Sequence, residues 1–272
     1  MLNGFFSMEG PFYKIGTLVF DLIVLNILCI FFGGPLALLL LLSTGILAKV
    51  PVAISIAVCI FLLLNGGAAI TATIYVANRK VRGADKYLWQ DFWTSFKSNY
   101  KQATVIWIIF ILVNGLLVFN IKNAPNLGSI KNIIMPVQFF LAIESLFIST
   151  YVFSLLSRFH MSTKQLFKSA FVMANKHVLT TITCVGMLVV TGFLVYRNLL
   201  FIGIAFSGYA YLLAYFTEKV FEKYIPEEVL NKNKFPGKEY TKDSYSDQVE
   251  ENNLYKKFSD QEDKPEEKGR ND

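Results

Sequence analysis

Apolar residues in this chain fall into runs of about twenty or more, the length an α-helix needs to cross a hydrocarbon layer about 30 Å thick. Backbone amides inside such a layer have no water to bond, so a helix that satisfies them internally is the conformation open to these runs. Composition agrees: of 272 residues, 54% are apolar and 17% charged, with a mean hydropathy of +0.45. The fold class read from the sequence is all-α, a polytopic transmembrane helical bundle of about six spans. Two cytoplasmic interfacial amphipathic helices and a disordered C-terminal tail are expected to complete it.

The first apolar block, residues 15–48, is interrupted at Gly33-Gly34-Pro35. Two glycines and a missing backbone donor predict a kink or a break there. The block is one long kinked span, or a span followed by a short, partly inserted segment. Further spans are expected at 51–77, with Pro51 suited to a first turn, and at 103–119, 133–157, 178–196 and 199–216. Residues 1–225 form the transmembrane domain, and 226–272 a charged, disordered cytoplasmic tail poor in aliphatic residues. The N-terminal stretch, with Glu9 and no Lys or Arg before Lys14, reads as a retained first span rather than a cleaved signal.

Charge sets the orientation. Residues 1–225 carry 17 Lys and Arg against 7 Asp and Glu, and the tail 9 against 13. With both termini inside, the cytoplasmic connections hold thirteen of the cations and the outer ones four, Lys49, Lys122, Lys131 and Arg197. The cytoplasmic side keeps the positive excess. A basic membrane body of this kind is attracted to anionic lipid and argues against nucleic acid as a partner. Its location is expected to be a cell membrane.

The two long cytoplasmic loops share a spacing. Phe92, Phe96 and Lys101 precede the third span, and Phe167, Phe171 and Lys176 the fifth. Apolar residues four apart share a helical face, so each loop is expected to lie on the membrane with its lysines at the headgroups. Trp89, Trp93, Lys97 and Tyr100 suit that interface. Together these side chains form the candidate interaction surface: Trp89, Phe92, Trp93, Phe96, Lys97, Lys101, Phe167, Phe171 and Lys176.

Ionisable groups within a span are costly and are functional candidates by default. Glu144, near the middle of the predicted fourth span, is the foremost, with Gln138 six residues before it. Packing through a hydrogen bond and a cation or proton site are both open to it. Asp21 in the first span is expected to pair with Lys14 or a basic loop residue. Asn65 opens the run Asn65-Gly66-Gly67-Ala68-Ala69, which permits close helix contact or a broken helix at a substrate path. Cys29, Cys59 and Cys184 have no pairing or metal spacing and read as small apolar filler.

Catalysis has little to stand on. The two histidines, His160 and His177, lie in one loop, and there is no HExxH, GxSxG or P-loop. No catalytic residue, cofactor or metal ligand is expected, and the chain is read as a non-enzyme.

The segment 75–107, YVANRKVRGADKYLWQDFWTSFKSNYKQATVIW, resembles the YesL family of bacterial integral membrane proteins. The residues that carry the likeness are Lys80-Val81-Arg82-Gly83, Asp91-Phe92, Phe96-Lys97, Asn99 and Lys101-Gln102-Ala103-Thr104. Asn26-Ile27-Leu28, Pro35 and Gly67-Ala68-Ala69 support it upstream. The chain departs from the pattern between Pro35 and Gly66, where an extra apolar stretch stands in place of a short turn. The family has no known function. Its frequent place beside sugar-import and polysaccharide-degrading genes of Gram-positive bacteria implies a non-catalytic accessory role in carbohydrate uptake. The partners implied are sugar transporter subunits or a regulator. The rival reading is an autonomous small-solute or ion transporter or channel using Glu144, Gln138 and the Asn65 region. A lipid-interacting structural protein is a third.

Overall fold

The computed structural model describes residues 11–33, 51–84, 87–123 and 131–224. The tail, residues 34–50 and the short connections at 85–86 and 124–130 lie outside the described residues. Seven α-helices are present and no strand among the described residues: α1 (Pro11–Phe31), α2 (Val52–Val81), α3 (Leu88–Asn123), α4 (Lys131–Arg158), α5 (Thr163–Lys176), α6 (Val178–Arg197) and α7 (Ala205–Phe221). Helices α1, α2, α3, α4 and α6 are long and apolar enough to cross a membrane. Multiple membrane-spanning helices are therefore the architecture. The expected sixth span is a 3₁₀ turn at Leu199–Gly203 followed by the 17-residue α7, shorter than the other five candidates.

Helix boundaries follow local chemistry. The first helix ends at Phe31, and Gly33 takes φ +91°, a left-handed conformation that closes a helix cheaply only without a Cβ. The first apolar block thus breaks its helix at Gly33, and the rest of it, residues 34–48, lies outside the described residues. Pro51 sits at the N-terminal boundary of α2, which runs four residues past the expected end and carries Arg79 and Lys80 in its last turn.

The largest departure is α3. The expected interfacial helix and third span are a single helix of 36 residues. No Gly or Pro lies between Leu88 and Asn114 to interrupt it. Phe92 and Phe96 are buried, packed with Phe32 at ring centroid distances of 5.6 and 5.3 Å. They belong to the core and not to a docking surface, which corrects the sequence reading of both.

The second amphipathic segment does form its own helix, α5, started by Ser162, whose hydroxyl accepts from the Gln165 amide. It folds back against α4 instead of lying across its end. Leu166, Ala170, Met173 and Ala174 are buried. Phe167 meets Phe110 of α3 at 5.7 Å, and Asn175 reaches Glu144, fourteen residues back from the end of α4. Phe171 remains half-exposed and Lys176 exposed. The two loops that share a spacing therefore differ in burial, because only the first continues into a span.

Small residues let α2 sit close to α3. Gly67 is fully buried, and a Cβ on it would lie 2.3 Å from the Ala103 carbonyl oxygen and 2.6 Å from Trp107 Cβ. Ala68, Ala69, Ala72 and Ala103 are also fully buried. Without a hydrophobic drive between helices in lipid, such close contact supplies the dispersion that holds them. The Asn65-to-Ala69 run is a helix-packing surface within an unbroken α2.

Candidate functional site

Polar side chains bind the helices at one end of the bundle. Arg79 Nη1 donates to Asp91 Oδ1 at 2.7 Å, joining α2 to α3. Lys80 pairs with Asp21, joining α2 to α1. Glu218 of α7 receives Arg158 Nη2 of α4 at 3.0 Å and lies 3.9 Å from Arg82 Nε beyond α2. Asn78 Nδ2 donates to Ser157 Oγ at 2.8 Å. Four of the thirteen cations that set the orientation, Arg79, Lys80, Arg82 and Arg158, thus face carboxylates.

These pairs differ in weight. The Asp21 and Lys80 side chains are 24% and 15% exposed, so the pair is partly screened and worth about 0 to 1 kcal/mol. Arg158 and Glu218 are 3% and 5% exposed, where losing one partner leaves a charge in a place water reaches poorly. Sequence reasoning singled out Asp21 but not Glu218, although an acidic residue near the end of an apolar stretch was a visible signal.

The intramembrane candidates do not converge. Glu144 is half-buried and accepts a 2.7 Å hydrogen bond from Asn175 Nδ2. Asn65 donates to the Phe61 carbonyl of its own helix at 2.8 Å. The Gln138 side-chain oxygen is buried without a hydrogen-bond partner among the described residues. Asn26, fully buried, donates to the Ile202 carbonyl at 2.7 Å and accepts from the Ser207 amide at 3.2 Å. That pair closes the ends of α1 and α7 on each other, a fixing role for Asn26. Asn114 does the same between α3 and α4, donating to Ser145 Oγ at 3.0 Å.

A cavity of about 220 Å³ lies instead among α2, α3, α4, α6 and α7. Ile70, Ile74, Trp107, Phe110, Phe153, Leu188, Phe206, Tyr209, Ala210 and Leu213 line it, with Asn114, Ser149 and Thr150. None of Glu144, Gln138, Asp21 or Asn65 does. Ser149 and Thr150 spend their hydroxyl protons on the Leu146 carbonyl, at 2.7 and 3.1 Å. Hydropathy and spacing carry no sign of this cavity, because its wall comes from five helices.

The exposed part of the predicted interaction surface lies along α3. Trp89, Trp93, Lys97 and Lys101 follow one another at four-residue spacing, so they form a stripe along one side of the helix. The two indoles stack at 6.1 Å with 12° between their planes, and Lys97 Nζ lies 4.7 Å from the Trp93 ring. Trp89, Lys97 and Lys101 are exposed and Trp93 half-buried.

At the junction of α5 and α6, His177 Nε2 lies 2.9 Å from the Tyr224 hydroxyl, and Lys176 Nζ 5.2 Å from the Tyr224 ring. Partial burial first, then Lys223 and Lys176, hold the imidazole below its usual titration range. The folded state therefore takes up the proton less readily than the unfolded chain. The stability this contributes is present above the unfolded pKa of about 6.5 and is lost as pH falls from there through the lower folded value. In detergent, melting temperature should fall as pH drops below about 6.5, and the His177→Gln variant should show a flatter profile. Parallel profiles would rule His177 out as the source.

Residues 22–121 match the family described as "Protein of unknown function, DUF624", the family to which YesL-type proteins belong. No curated protein and no solved structure matches the chain.

Proposed function

We propose that this DUF624-containing membrane protein is a non-catalytic accessory in bacterial carbohydrate uptake, working by binding a transporter subunit or a regulator. It resides in the cell membrane with both termini in the cytoplasm. The observation that carries the binding role is the stacked and exposed stripe Trp89, Trp93, Lys97 and Lys101 on α3. Aromatic faces beside cations suit a protein partner whose own surface is acidic and partly apolar, since Trp and basic side chains anchor interfaces. The assignment to carbohydrate uptake rests on the likeness of residues 75–107 to YesL-type proteins. The positive excess on one set of connections supports the orientation.

Copurification in mild detergent tests the reading. Transporter subunits or a regulator should come down with the wild-type chain in fixed proportion. The Lys97→Glu/Lys101→Glu double variant should lose them while its yield in the membrane is unchanged. Equal recovery from that variant and from Trp89→Ala would reject the stripe as the docking surface.

The second reading, a small-solute or ion transporter with its site at Glu144, is supported by a half-buried carboxyl within the apolar α4. Flux into reconstituted vesicles separates the two. An accessory leaves flux at the level of empty vesicles with or without Glu144→Gln, whereas a transporter shows flux that this variant abolishes.

A further inference from the structure

We propose that the cavity among α2, α3, α4, α6 and α7 is a binding site for a neutral lipid-like molecule, an apolar chain or ring carrying one hydrogen-bond acceptor. Its wall is mostly hydrocarbon and aromatic, which takes an apolar body without cost to polar groups. Two hydrogen-bond donors on that wall are unspent, and one of them, Trp107 Nε1, is buried with no partner among the described residues. Tyr209 is 8% exposed, and its hydroxyl makes no hydrogen bond to any described residue. A buried donor such as the Trp107 N–H loses its bond to water and gains nothing, unless an occupant accepts from it. A hydroxyl, ether or carbonyl oxygen on the bound molecule supplies that acceptor.

Size and chemistry narrow the class. An apolar cavity of about 150 Å³ takes one benzene, so 220 Å³ takes a body of about eight to ten heavy atoms. A hexose, with six carbons and six oxygens, exceeds that size and brings five hydroxyls, and Ser149 and Thr150 have already given their protons to the Leu146 carbonyl. A medium-chain alcohol has the right balance, one polar atom on an apolar chain. Helix α6 faces outward over most of its length, with only Thr181 and Cys184 buried, so the surrounding lipid is the natural source. This site is separate from the stripe on α3, and its occupant is independent of the accessory reading.

The photoactivatable alcohol 3-azioctanol tests it on the purified full chain in detergent, with labelled residues located by mass spectrometry. Labelling should concentrate on the cavity wall, saturate, and be prevented by excess 1-octanol but not by glucose. Tyr209→Phe keeps the shape and removes one of the two donors, and should weaken saturation about three- to tenfold. Ala210→Leu fills the cavity from the fully buried side and should abolish the saturable component. Leu188→Trp does so from the half-buried side, and decides the matter where Ala210→Leu lowers yield. Labelling spread over the outward faces without competition by octanol would overturn the proposal. So would saturable labelling that survives Leu188→Trp, or protection by glucose.

Discussion

Arg158→Met should lower the stability of the folded chain by about 3 to 5 kcal/mol, the cost of removing one partner of a buried ion pair. Glu218, 4% exposed, would keep its carboxylate beside Arg82, 3.9 Å away. Arg82 is itself 29% exposed and shares its charge with solvent, so it compensates only in part. Replacing both members, Arg158→Met with Glu218→Leu, removes the stranded charge and should recover most of the loss. The measurement is a denaturation midpoint in detergent for the wild type, each single variant and the double. A double variant as unstable as Arg158→Met alone would show that the pair is not what fixes α4 to α7.

Gly67→Val should be the most damaging single change in the apolar part of the bundle. Even the first added carbon would lie 2.3 Å from the Ala103 carbonyl oxygen and 2.6 Å from Trp107 Cβ. The obstacle is backbone on a packed helix, so no side chain can swing aside. Separating α2 from α3 forfeits contact along the whole seam, and the loss should reach about 3 kcal/mol, the upper end for overpacking. Gly67→Ala should cost less but still be measurable. Gly115→Ala on the same helix pair is the control, since nothing lies within 4 Å of a Cβ there. Equal melting temperatures for Gly67→Ala and Gly115→Ala would refute the close-approach argument.

Helix positions were legible because hydrophobic length is a local property. Pro51, the Gly33 stop and the limits of α4 and α6 all fall within a few residues of where composition places them. The continuity of α3 was also written in the chain, as a stretch without Gly or Pro from Leu88 to Asn114. Its basic and aromatic composition drew the eye to the membrane surface instead. Burial is what composition leaves out: the matched spacing of Phe92 with Phe96 and Phe167 with Phe171 is the same in both loops, yet the first pair is in the core and Phe171 is half-exposed. Pairings were less legible still. Asp21 does meet a basic residue of the stretch expected as a loop, Lys80, but which cation it would take was open across 59 residues of sequence, and Arg158 meets Glu218 across a similar gap. Contacts of that range depend on which helices become neighbours, and hydropathy does not encode it. The cavity is the extreme case, since no two adjacent helices suffice to form it.

At 1.5 Å per residue, the 36 residues of α3 make a rod about 54 Å long, well beyond a hydrocarbon layer of about 30 Å. One end carries the Trp89-to-Lys101 stripe, and farther along Trp107, Phe110 and Asn114 face the cavity. A rod without a hinge turns as a whole. A contact made on the stripe is therefore made on the same element whose Trp107 lines the cavity, with no loop between the two.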